Sequence, residues 1–379
     1  MRIGIDARLW NETGVGRYIR NLVENLLAID SKNEYILFLT AKACQELKTQ
    51  NAKRKNTPQN VTLIETNITW HSIEEQLGFS KILEKENLDL VHFPYFSIPI
   101  FYNKPFVMTI HDLIIHHFPT GKASTLPYPI YFLKRLGYKY VIKKAAQKAV
   151  KVIAVSQATK DEIVKHLHVS SDKIAVTYEG VEQRAKSKEQ RAKSKDKEYI
   201  LYVGNAYPHK NLERLIEAFA LVVREFPEAK LVLVGKKNYF YDRLEEKVGK
   251  MGLKKSILFS GNVSDQELQS LYQDTQALIV PSLMEGFGLP GLEAMQSDCL
   301  VLASDIPSLR EIYKDAAVYF DPLAVDSLHA TIREVLENKK KFANYIEKGK
   351  KRALFFSWEK MAKETLKIYE SCSRIRSDQ

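Results

Sequence analysis

ALIVPS, Ala277 to Ser282, and EGFGLPGLE, Glu285 to Glu293, lie two residues apart in the chain. The first run is apolar, β-branched and of the length of a buried strand. Glu285 therefore falls just past the carboxyl end of a parallel strand, where ligands of open α/β sheets bind. Gly286, Phe287, Gly288 and Leu289 lead into a helix expected to start near Pro290, so their backbone N–H groups face a diphosphate at the positive end of that helix. Glu285 and Glu293 would repel phosphate, but a carboxylate accepting two hydrogen bonds from a vicinal diol suits neutral sugar hydroxyls. The ligand these residues call for has phosphates in its middle and sugars at both ends. The plainer alternative is a helix N-terminus with acidic residues in its first turns.

Working outward, short apolar runs alternate with helical segments in two sets, which predicts two doubly wound α/β domains with parallel sheets and right-handed crossovers. The first set comprises residues 2–6, 35–39, 61–64, 90–93, 106–110 and 152–155, and the second residues 199–203, 231–234, 257–259, 278–280, 300–303 and 318–320. Between them EQRAKSK occurs twice in tandem over residues 182–195, with no large apolar residue. Such a duplication reads as slippage in an exposed connector. The predicted domains are 1–180 and 199–356, joined by the charged linker 181–198, with a final helical segment over 357–379.

The fuller run PSLMEGFGLPGLEAM, Pro281 to Met295, resembles the signature of retaining GT-B glycosyltransferases of family 4. The resemblance implies two Rossmann-like domains facing across a cleft, with the last helix crossing back to the first domain. It implies that Glu285 touches the donor sugar and reacting centre and that Glu293 binds the nucleotide ribose. It extends to Gly204-Asn205-Ala206-Tyr207-Pro208-His209-Lys210-Asn211, where Lys210 would reach the donor phosphates. Family members commonly carry Arg at the positions of Asn205 and His209, so one cation is missing here; a protonated His209 would replace it in part at neutral pH. Backbone groups near Val263 resemble those that hold the nucleobase.

In the first domain, Thr13-Gly14-Val15-Gly16-Arg17-Tyr18 follows the opening strand and precedes a helix. Gly14 and Gly16 let backbone amides approach a phosphate, and the resemblance places them near the donor diphosphate and acceptor. His111 follows the strand FVMTI at another carboxyl edge. The resemblance gives it a contact with the donor sugar or reaction centre. His116 and His117 are read as loop residues, and no regular ligand spacing supports a metal site.

Composition fits a soluble, two-domain chain. Of 379 residues, 45% are hydrophobic and 27% charged, and the opening MRIGIDAR reads as a strand rather than a signal peptide. A cytoplasmic location is expected, and the three scattered cysteines Cys44, Cys299 and Cys372 suit a reducing compartment. The net charge of +11 calls for an anionic partner. Residues 128–151, YPIYFLKRLGYKYVIKKAAQKAVK, mix lysines and aromatics at helical spacing. Two readings stand: a peripheral contact with the anionic inner leaflet of the membrane, or a helix with aromatics packed inward. Nucleic acid is the weaker partner, because no recognisable module accompanies the charge.

The expected reaction is transfer of a hexose from a nucleotide sugar to a saccharide or lipid-linked oligosaccharide in surface polysaccharide synthesis, with retention, without a cofactor and without a metal. GDP-mannose is the favoured donor, ahead of UDP-glucose or a deoxysugar such as rhamnose. Glu285, His111 and Lys210 form the expected catalytic set. Asn205, His209, Val263, Gly286 to Leu289, Glu293, Gly14 and Gly16 are expected around the donor. A catalytically silent nucleotide-sugar binder is the further alternative. An oxidoreductase would need a dinucleotide fingerprint that the chain does not show.

Overall fold

Thirteen apolar runs become strands in the computed structural model, which describes residues 1–53, 60–118, 127–182 and 199–377. The first seven are β1 (Arg2–Asp6), β2 (Glu34–Leu39), β3 (Val61–Glu65), β4 (Leu90–Phe93), β5 (Phe106–Ile110), β6 (Lys151–Ala154) and β7 (Ile174–Val176). They form one parallel sheet in the order β3-β2-β1-β4-β5-β6-β7. The second sheet takes β8 (Tyr199–Val203), β9 (Lys230–Val234), β10 (Ile257–Gly261), β11 (Ala277–Val280), β12 (Val301–Ser304) and β13 (Val318–Phe320), in the order β10-β9-β8-β11-β12-β13. The chain reverses its direction of winding between β1 and β4 in one sheet and between β8 and β11 in the other. Every residue of β4, β5, β11 and β12 is buried, as befits parallel strands covered on both faces.

The first sheet has a seventh strand beyond the six expected, β7, whose three residues at the sheet edge are too few to carry a periodic signal. The helix after Glu285 spans Leu289–Gln296, so it opens beside Pro290 as expected.

The chain forms two units. One holds Met1–His116, Leu126–Gly180 and Ser357–Gln379, and the other His117–Thr125 and Val181–Phe356. Apart from Glu182, the duplicated heptapeptide lies outside the described residues. Within the first unit, helix Val15–Ile29 buries Tyr18, Ile19, Leu22, Val23 and Leu26, a stripe at i, i+3, i+4 spacing. The last helix, Trp358–Ser377, packs against it. That helix buries Met361, Thr365, Tyr369 and Cys372.

A polar chain runs through this apolar contact. The Tyr369 hydroxyl lies 2.6 Å from His92 Nδ1, and His92 Nε2 lies 2.8 Å from Thr109 Oγ1. The Tyr18 hydroxyl is 3.2 Å from the same threonine oxygen. Burial pushes His92 down to about 3, so the ring is neutral and one nitrogen donates while the other accepts. Tyr369→Phe would leave a fully buried imidazole nitrogen unpaired. It should cost about 1–3 kcal/mol, read as a lower denaturant midpoint at unchanged m-value.

Candidate functional site

At the reversal point of the second sheet, β8 and β11 lie side by side and send their carboxyl ends to one edge. Gly204 to Lys210 follow β8, and Ser282 to Glu285 follow β11. The two segments meet in an ion pair: Lys210 Nζ lies 2.6 Å from Glu285 Oε1, with side chains 16% and 14% exposed. Ser282 Oγ donates to the same oxygen at 2.7 Å. Burial works to raise the Glu285 pKa, but the charge and hydrogen bond of Lys210 and the serine hydroxyl outweigh it, and the carboxyl stays below its ordinary value. Glu285 is therefore a carboxylate at neutral pH.

Asn211 fixes the geometry of this pair. It is buried in the left-handed region at φ +61°, and its Nδ2 donates to the carbonyls of Pro281 and Pro322 at 3.0 and 2.8 Å. The loop after β8 is thus tied to the end of β11, one residue from Lys210. The backbone N–H of Leu283 adds a bond of 2.8 Å to the His209 carbonyl. His209 itself corrects the expectation of a partial cation. Burial, reinforced by the Lys210 charge, pushes its pKa down to about 4, so the ring is neutral at pH 7. The Lys210 ammonium rests on Glu285. Asn205 is exposed, with its carbonyl accepting from the Tyr202 hydroxyl at 2.5 Å.

Beyond Glu285 the chain turns sharply. Gly288 has φ +88°, its carbonyl accepts from the Tyr313 hydroxyl at 2.5 Å, and a Cβ there would lie 2.7 Å from Leu309 Cδ2. Gly291, one turn on, lies against the Tyr313 ring with no room for a Cβ. Phe287 packs its ring edge-on against Phe356 at 5.4 Å, which makes its side chain part of the core. Leu289 opens the helix, and Glu293 within it accepts from the Tyr272 hydroxyl at 3.0 Å. Val263 follows β10 at the outer end of the same carboxyl edge, just before the capping box of Ser264 and Glu267.

The remaining expected residues lie in the first unit. Gly14 holds φ +60° at the start of helix Val15–Ile29, and a Cβ on Gly16 would meet the carbonyls of Leu9 and Trp10 at 2.6 and 2.8 Å. His111 follows β5. Its Nδ1 lies 2.9 Å from Glu179 Oε1 and its Nε2 lies 3.0 Å from the Pro94 carbonyl. A carbonyl only accepts, so Nε2 carries a proton, and the carboxylate holds a second on Nδ1. Burial would lower the His111 pKa, but the hydrogen bond and charge of Glu179, with help from the Pro94 carbonyl and Asp112, raise it overall. His116 and His117 sit in a short helix, Ile114–His117, rather than a loop.

Of the residues expected from sequence, the structure joins Lys210 directly to Glu285 and sets Gly286 to Leu289 and Glu293 next along the chain. Gly14, Gly16 and His111 belong to the first unit. Sequence reasoning passed over Glu179, Ser282, Asn211, Tyr272 and Tyr313. Glu179 stands three residues past β7, at a carboxyl edge like the others, but the three residues of β7 are too short a run to mark that edge in the sequence.

Comparison with known proteins adds an independent line. The family model for glycosyl transferases group 1 matches residues 183–352, and that for glycosyltransferase family 4 matches residues 13–184. The chain is 28% identical over 283 residues to the O-antigen chain mannosyltransferase RfbU of Salmonella typhimurium, covering 74% of each. It is 26% identical over 382 residues to O-antigen chain mannosyltransferase B of Escherichia coli, covering 94% of this chain and 96% of the relative. Among solved structures, HepE of Anabaena in complex with UDP and glucose superposes with a TM-score of 0.76 at 17% identity, covering 98% of this chain and 100% of that one.

Two measurements probe this geometry. Gly288→Ala combines a left-handed φ with a steric clash, and should destabilise by about 1–3 kcal/mol or more in chemical unfolding. A raised histidine pKa contributes stability that is complete below the unfolded value of about 6.5 and is lost as pH rises through the folded value. Glu179→Gln should therefore lower the melting temperature most on the acid side of about pH 6.5, with the gap closing as pH rises. A pH-independent gap would mean that His111 is not the cation of the pair.

Proposed function

We propose, because the chain belongs to the group 1 glycosyl transferases of GT-B architecture, that it transfers mannose from GDP-mannose to a growing saccharide, with retention at the anomeric carbon. The observation that carries this reading is the Lys210–Glu285 pair at the reversal point of the second sheet, followed at once by the glycine turn and the helix bearing Glu293. Mannose is favoured by the mannosyltransferase names of the relatives from Salmonella and Escherichia coli. UDP-glucose is the competing donor, supported by the UDP and glucose in the Anabaena structure.

The residues divide the work by charge. Glu293, oriented by Tyr272, accepts the two ribose hydroxyls. Glu285 accepts hydroxyls of the donor sugar and, as a carboxylate, offsets positive charge that develops on the sugar ring. When those hydroxyls become partners of Glu285, Lys210 is released toward the diphosphate. Its ammonium, the backbone of Gly286 to Leu289 and the helix dipole then stabilise the leaving group. The bond from the anomeric carbon to the diphosphate oxygen breaks, the acceptor oxygen bonds to that carbon, and the acceptor proton passes to the departing phosphate. These fixed donors do the work that a metal would otherwise do, so turnover should persist in the presence of a chelator. His209, neutral at pH 7, contributes shape and not charge. In the first unit, Gly14, Gly16 and the His111–Glu179 pair lie at the carboxyl edge of its own sheet, and that unit takes the acceptor.

A lipid-linked acceptor at the inner leaflet is favoured by helix Tyr128–Lys148. Ile130, Phe132, Leu133, Leu136 and Tyr140 are exposed on it beside the exposed Lys134 and Lys144. Exposed apolar side chains interleaved with lysines suit an anionic bilayer surface. Among the described residues no helix is long and apolar enough to cross a membrane.

Thermal shift against GDP, UDP, TDP and their sugar conjugates tests the donor. GDP-mannose should raise the melting temperature more than the others, because a ligand that binds only the native state stabilises it by mass action. Glu293→Ala should abolish the shift. Glu285→Gln should keep nucleotide binding while lowering turnover on the order of a hundredfold. Turnover that survives Glu285→Gln in a folded protein would remove Glu285 from the reaction.

A further inference from the structure

Three charges are buried in the first unit that the transfer reaction above does not use. Arg8 Nη2 lies 2.7 Å from Asp6 Oδ2 and 2.5 Å from Glu75 Oε1, and the side chains of Arg8, Asp6 and Glu75 are 1%, 10% and 1% exposed. Arg8 also stacks over the Phe79 ring at 3.9 Å. Burying such a group is costly, and its usual return is a fixed geometry rather than stability. The geometry fixed here is a turn. The second oxygen of Glu75 accepts from Ser97 Oγ at 2.6 Å and from the backbone N–H of His71 at 3.1 Å. Ser97 Oγ accepts from that same N–H at 3.0 Å. Held in this way, His71 occupies φ +60°, a strained conformation for a side chain with a Cβ.

The strained turn displays aromatic rings. Trp70 is 39% exposed and its ring lies 4.9 Å from that of His71, inclined at 65°, while Trp10 and Trp358 are each 4% exposed. Behind His71 stand Phe96 and Tyr95, at 5.3 and 5.9 Å, and Tyr138 closes on Phe96 at 4.7 Å. Crowding by these neighbours, and then the charges of Arg8 and Lys134, push the His71 pKa down to about 4, so the ring is uncharged at neutral pH. The cluster is also placed where ligands bind. Asp6 ends β1, and Tyr95, Phe96 and Ser97 follow β4, so the turn is anchored at the carboxyl edge where the winding of the first sheet reverses.

We infer that Trp70, braced edge-on by His71, forms a stacking platform for a pyranose ring of the saccharide acceptor, held in place by the buried Arg8–Asp6–Glu75 network. The inference rests on the glycosyltransferase reading and names the substrate chemistry of its first unit. The flat, neutral indole of Trp70 offers an apolar face to the C–H face of a sugar, whereas a phosphate or a free nucleotide would call for a cation at the surface of the turn. The backing aromatics keep the platform rigid, which limits the ordering cost of binding.

Trp70 supplies its own reporter, as the single exposed tryptophan of the three. Tryptophan emission should change saturably when the full chain is titrated with at least one of manno-, gluco- and galacto-configured trisaccharides, and Trp70→Phe, which leaves Trp10 and Trp358 as baseline, should lose that change. Trp70→Ala should raise the acceptor KM roughly three- to tenfold with the donor KM unchanged. His71→Gly separates function from folding. Glycine accepts φ +60° without strain, so this variant should keep or gain thermal stability while the acceptor KM rises as for Trp70→Ala. A stability loss with unchanged acceptor KM would overturn the platform. So would an emission that no trisaccharide moves while GDP-mannose or UDP-glucose still shifts the melting temperature. If neither sugars nor nucleotides bind, the transferase reading falls together with the platform.

Discussion

In a parallel sheet every strand delivers its carboxyl end to the same edge, and side chains far apart in the chain converge there. Lys210 and Glu285 are 75 residues apart and share a proton-bridged contact, and His111 and Glu179 are 68 apart and do the same. Asp6 at the end of β1, and Thr66, Ser97 and His111 after β3, β4 and β5, gather on the edge of the first sheet in the same way. The winding reversal adds the second half of the constraint. Where neighbouring strands send their connections in opposite directions, no crossover helix covers the gap between them, and a concave edge remains. Both units place their chemistry beside such a gap.

Each of these edges carries a buried or half-buried carboxylate with a cationic partner: Asp6 and Glu75 with Arg8, Glu179 with His111, and Glu285 with Lys210. Such pairs add little net stability, since desolvation cancels much of the attraction. What they add is position. A carboxylate held by two or three directed bonds presents its remaining lone pairs along fixed lines, and a ligand hydroxyl can replace one partner without leaving a buried charge unpaired. Asn211 makes the same point without charge, using one amide to hold the ends of two strands in register with Lys210.

The fold was legible because its signals are local. Runs such as ALIV are apolar over their whole length, and the glycine turn at Gly286 to Gly288 follows within a few residues, so the strand, the turn and both glutamates can be read within one window. β7 escaped because three residues at a sheet edge have no period to read, and Glu179 escaped with it. His209 was misjudged for a different reason. Its chemistry depends on burial and on the neighbouring lysine, and neither burial nor a partner's distance is written in a short run of sequence. The strained His71 likewise left no mark, because the residues that hold it, Glu75 and Ser97, act through the backbone.

The first unit is built from both ends of the chain, and this orders its biogenesis. Residues up to Gly180 leave the ribosome long before Trp358 to Ser377, yet the stripe of Tyr18, Leu22 and Leu26 is covered by that last helix. Gly180 lies against the backbone of Ser357 and Trp358 with no room for a Cβ, so the outgoing and returning strands of the chain share one seam. Until that helix emerges, the stripe of Tyr18, Leu22 and Leu26 and the His92 imidazole lack the cover it gives them in the folded chain. The second unit, apart from residues 117–125, comes from the single stretch Val181–Phe356. The final helix therefore acts as a timed closure, and a chain cut short after the second unit would present that stripe to chaperones and proteases.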